Sequence, residues 1–76
     1  MIIQVSVQGD TLTVTESINT ALAVCRDHIS QNPPVTEILE IDVWDQIGMI
    51  DASYGFTPRE EELSRIESWL NEQETE

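Results

Sequence analysis

Apolar and polar residues alternate through the opening run, with Ile3, Val5 and Val7 on one parity and Gln4, Ser6 and Gln8 on the other. A period of two is that of a half-buried strand. Gly9 and Asp10 then supply turn residues ahead of a second alternation, where Leu12 and Val14 fall between Thr11, Thr13 and Thr15. The pair predicts an antiparallel hairpin, each strand giving its apolar parity to the core. From Glu16 the period changes. Ile18, Leu22, Cys25 and Ile29 recur at helical spacing, with Ala21 beside them, and Thr15 or Ser17 is placed to cap the helix. Pro33 disfavours helix at Asn32, so the element is expected to end near Gln31.

Beyond the prolines, Val35, Leu39, Ile41 and Val43 share one parity, and Ile38, Glu40, Asp42 and Trp44 the other, which predicts a third strand. Gly48 and Gly55 mark bends on either side of a short candidate fourth strand at Met49 to Ser53, whose alternative is a loop packed by Ile47, Met49, Ile50 and Phe56. Thr57 followed by Pro58 and Glu60 spells a capping box, so a last helix is expected from Pro58, burying Leu63, Ile66 and Leu70. The order β-β-α-β-(β)-α implies a small α+β domain over residues 1–71, an antiparallel sheet with two helices packed on one face. Residues 72–76 are expected to form a frayed acidic tail. Glu40, Asp42 and Trp44 are then left on the wet face of the sheet.

Charge gives that face its interest. Fifteen acidic residues stand against three arginines and no lysine, a formal net charge of −12 in 76 residues. From Met1 to Val35 the balance is −2, and from Thr36 onward it is −10. Such a field repels nucleic acid and anionic membrane and attracts basic proteins. Solubility alone is the simpler use of acidity, but it does not call for concentration in one half. No apolar run reaches the roughly 18 to 20 residues of a membrane span, and the opening residues do not have the pattern of a secretory signal, so a soluble, cytoplasmic protein is expected. A single cysteine, Cys25, rules out an internal disulfide and suits a reducing compartment.

Enzymatic motifs are weak. Cys25 and His28 are three apart on one helix, but Cys25 lies in the apolar stripe and no oxyanion donor stands near it. The stretch from Asp42 to Ser53 lacks the order of an EF-hand loop, and paired-carboxylate hydrolysis needs a cleft that so small a domain rarely holds. No enzyme, no metal and no cofactor is expected. Carboxylates spaced along a strand or helix can instead occupy a basic groove, with an exposed aromatic as the desolvated anchor. The candidate partner-binding residues are Glu37, Glu40, Asp42, Trp44, Asp45 and Asp51, with Glu62 and Trp69 on the flank.

In its size, its lack of lysine, its α+β pattern and acidic runs such as EILEIDVWD and REEEL, the chain resembles the small acidic inhibitors of phages and mobile elements, which include anti-CRISPR proteins and other DNA mimics. These share no common fold. The resemblance implies only a mode of action, occupation of a basic nucleic-acid channel or an assembly surface of a host nucleoprotein complex. No direct contact with nucleic acid or membrane is expected. The alternative is a structural or regulatory module, an antitoxin-like partner or a homodimer formed along an exposed strand edge, whose acidity serves solubility.

Overall fold

The computed structural model describes residues 1–74. Strands β1 (Ile2–Val7) and β2 (Asp10–Thr15) are joined through Gln8 and Gly9, whose φ angles of 48° and 91° lie in the left-handed region that tight hairpin turns require. Helix α1 (Ile18–Ser30) starts at Ser17, whose hydroxyl accepts from the Thr20 N–H at 3.2 Å, while the Thr15 hydroxyl accepts from the Ser17 N–H at 3.1 Å. Two of the orphan amide donors at the helix entrance are thereby satisfied. Strand β3 (Leu39–Trp44), strand β4 (Ile50–Phe56) and helix α2 (Glu61–Glu74) complete an α+β domain.

The sheet is antiparallel throughout, in the order β2-β1-β3-β4. Its centre is the β1–β3 pair, in register from Ile2 opposite Trp44 to Val7 opposite Leu39. Ile3, Val5 and Val7 therefore share a face with Leu39, Ile41 and Val43, and on that face lie Ala21, Leu22, Cys25 and Ile29 of α1 and Ile66 and Leu70 of α2. Both helices cover this inner face, which leaves the opposite face open.

Three expectations need correction. Leu12 and Val14 do not enter the core: they are 41% and 60% exposed. Pairing decides this, because Ile3 lies opposite Thr15 and Val5 opposite Thr13, so the threonines take the inner side. Leu12 is then the extra residue of a bulge, since Ser6 pairs with Thr11. Helix α2 starts at Glu61, not Pro58. The chain turns the corner from β4 with Thr57 to Glu60, the Arg59 N–H donating to the Thr57 carbonyl at 2.8 Å, so the Thr-Pro-Arg-Glu signal lies in a turn and not at a cap. The same helix continues to Glu74, and residues 75–76 lie outside the described residues. Val35, grouped by parity with Leu39, Ile41 and Val43, lies outside β3 and is 64% exposed. The segment left open between strand and loop is strand β4 from Ile50 onward, and of the four residues proposed to pack there only Phe56 is buried.

Candidate functional site

Cross-strand pairing fixes what the open face displays. One row runs Val14, Gln4, Asp42, Ser53 across the four strands, and the row beyond it runs Ile2, Trp44, Ile50. Toward the opposite end of the sheet lie Thr11, Ser6, Glu40 and Gly55. The face is thus graded, polar at one end and apolar at the other. The apolar end continues into the β3–β4 connection, where Met49 is exposed and Ile47 is 81% exposed.

Trp44 is tethered to the neighbouring strand. Its indole N–H donates to Gln4 Oε1 at 3.2 Å, and Gln4 Nε2 donates to the Thr11 hydroxyl at 2.9 Å, so a chain of hydrogen bonds crosses three strands. Beside the ring is a wide-mouthed hollow of about 350 Å³, lined by Ile2, Gln4, Val14 and Trp44 and closed by Asp45, Gln46 and Gly48. Hydrogen bonds brace the closing wall. Asp45 Oδ1 accepts from the N–H groups of Ile47 and Met49 at 3.0 and 2.9 Å, and the Asp45 N–H donates to the Met49 carbonyl at 2.9 Å. Gly48, with φ of 86°, gives the turn the backbone shape that a side chain would resist.

The predicted residues do not form one surface. Glu40, Asp42, Trp44 and Asp45 gather on or beside the open face, with exposed Asp51 at the β4 bulge, where Val43 pairs with Ala52 and Trp44 with Ile50. Asp42 is only 9% exposed and accepts from the Ser53 hydroxyl at 2.6 Å. Glu37 lies 3.4 Å from His28 Nε2, which places that histidine against a carboxylate. Glu62 and Trp69 lie across the β4 edge, on the helix side. There Glu62 accepts from Arg65 at 2.8 Å and from the Tyr54 hydroxyl at 3.3 Å, and the Trp69 ring centroid is 5.4 Å from that of Tyr54. Desolvation, with the facing Glu62 carboxylate second, raises the Tyr54 phenol above its ordinary range.

Several of these carboxylates therefore have structural work: Glu37, Asp42, Asp45 and Glu62 each hold a partner within the chain. What the reading by residue type missed is apolar, namely Ile2, Val14 and Ile50 around Trp44. Ile2 gave a signal, since it has the parity of Gln4 and Ser6 and adjoins Ile3, so the two isoleucines have to point opposite ways.

The residues that line the hollow include no histidine, cysteine, serine or threonine. Cys25 is fully buried, and burial pushes its thiol up to about 11, away from the thiolate a nucleophile needs. Among the described residues no three His, Cys, Asp or Glu side chains are grouped to hold a metal ion, and no helix is long and apolar enough to cross a membrane. Comparison with protein families, with curated proteins and with solved structures finds no match to this chain.

Proposed function

We propose that the chain is a non-enzymatic protein-binding module that docks a basic partner protein on the open face of its sheet. One observation carries the reading: in a chain of net charge −12, the uncovered sheet face ends in large apolar side chains, Ile2, Val14, Trp44 and Ile50, of which the first three line a preformed hollow. Contiguous exposed apolar surface rimmed by polar groups is the mark of an interaction site, and a fixed indole is a favoured interface anchor. The rim supplies the sign. Glu40, Asp42, Asp45 and Asp51 lie on or beside this face, whereas Arg26 and Arg65 are on the helices and Arg59 is in the turn before α2. A second copy laid face to face would bring those four carboxylates against their equivalents, so a heterologous basic protein fits better than self-association.

Basic surfaces of this kind are common on proteins that handle nucleic acid, and occupying one makes the module an inhibitor of a host complex. In that role the long-range charge steers encounter while the apolar end holds the partner, a division different from phosphate mimicry by rows of free carboxylates. A photo-crosslinking residue at Val14 or Ile50 should trap the partner in a lysate of the host, and one at Ser68, exposed on α2, should not. Trapping from Ser68 alone would overturn the reading.

A further inference from the structure

Resting on the docking reading above, we infer that the hollow beside Trp44 is a socket for one aliphatic or aromatic side chain of the partner, flanked in the partner's sequence by lysine or arginine. Shape favours a side chain over a free small molecule. At about 350 Å³ the hollow is at the small end of the roughly 300–1,000 Å³ range of ligand sites, and it is wide-mouthed where a free ligand needs most of its surface buried. A side chain arrives with its own lid, because the polypeptide that carries it covers the mouth.

The lining specifies an apolar guest. Ile2, Val14 and the Trp44 ring leave little for a polar group to bond, since the indole N–H is already engaged by Gln4. The walls are fixed before the guest arrives, Trp44 by Gln4 and Thr11, and the far side by the amides that Asp45 gathers. Little ordering is left to oppose binding. Basic flanks follow from the surroundings. Asp45 is part of the lining and Asp51 projects from the adjoining bulge, while no arginine lies on any strand.

Fluorescence of the Trp69→Phe protein tests this, because Trp44 is then the only indole and the tilted ring contact with Tyr54 is retained by a phenyl ring. The probes are the peptides Lys-Arg-Leu-Arg-Lys and Lys-Arg-Ser-Arg-Lys, and Ser-Gly-Leu-Gly-Ser without charge. The leucine-centred basic peptide should shift the Trp44 emission saturably and bind about tenfold tighter than the serine-centred one, the increment expected when one leucine is buried. Val14→Ser, at an exposed position, should abolish that preference while thermal melting stays unchanged. Equal affinity for the two basic peptides overturns the socket yet leaves docking of a basic protein on this face standing. Equal affinity for the uncharged peptide overturns the basic flanks, and absence of any saturable shift overturns the whole inference. Failure of the docking reading itself is seen separately, as crosslinking from Ser68 alone.

Discussion

Strands β1 and β2 alternate equally well in sequence, and they dispose of their apolar residues in opposite ways. β1 sends Ile3, Val5 and Val7 under the helices, whereas β2 sends Val14 to the open face and displaces Leu12 into a bulge. Alternation fixes which residues travel together. It does not fix the side. In an antiparallel pair the side is set by the partner opposite, and here Thr13 and Thr15 stand opposite the inward Val5 and Ile3. A threonine tolerates the half-buried margin of the sheet, which frees Val14 for the surface around Trp44.

The comparison is broken most directly by Ile3→Ala. A fully buried isoleucine truncated in a well-packed core loses about 2–5 kcal/mol, a large share of the roughly 5–15 kcal/mol that holds a domain together. A urea titration followed by circular dichroism should show the midpoint collapse; a small shift would mean that the inner face is not the core.

High pH should next attack the inner layer without any mutation. The Cys25 thiol is raised from 9.0 to about 11 in the folded chain, so between those values the unfolded chain has given up a proton that the folded chain keeps. Stability is then full below pH 9.0, falls as pH rises toward about 11, and loses on the order of 2–3 kcal/mol over that window. Cys25→Ala should flatten the decline. The raised Tyr54 phenol acts with the same sign above its ordinary value of 10.0, so a shallower loss at the highest pH should persist in that variant. Urea melts of both proteins across this range decide the point.

Ser53→Ala sharpens the contrast within the open face. Asp42 loses its 2.6 Å hydroxyl donor while almost buried, and a cost of about 1–3 kcal/mol is expected. Asp42→Val with Ser53→Ala should recover most of it, since neither half of the pair is then stranded. Failure of the double change to recover would show that Asp42 has a further structural task. The smallest effect on stability belongs to Val14→Ser, within about 0.5 kcal/mol by thermal melting, with the loss appearing instead in partner binding. An early melt for Val14→Ser would place β2's apolar parity in the core after all.

Much of the fold was legible because local pattern and tertiary demand agree. Helix α1 has its apolar stripe and a serine cap, and β3 buries the parity of Leu39, Ile41 and Val43. The side taken by β2 was not legible, because it depends on the register with β1 and on one bulge, neither of which alternation reveals. Nor was the start of α2, where the path out of β4 takes up residues whose local spelling suits a cap. The candidate site was legible only in part. Glu40, Asp42 and Trp44 do share the open face, but a carboxylate in sequence does not reveal its partner: His28 claims Glu37, Ser53 claims Asp42, loop amides claim Asp45, and Tyr54 with Arg65 claims Glu62. The residues around Trp44 come from three strands and a loop, and only folding collects them.

Both register shifts in the sheet belong to outer strands, at Leu12 in β2 and at Asp51 in β4, whereas the central β1–β3 pairing runs without one. Each border of the sheet is therefore bent where a straight strand from another molecule would have to zip against it, and one of the bends carries a negative charge. A surface rich in exposed isoleucine and valine would otherwise invite stacking into fibrils as concentration rises. With its borders shaped this way, the protein can leave an apolar face uncovered and still offer a poor template for polymerisation.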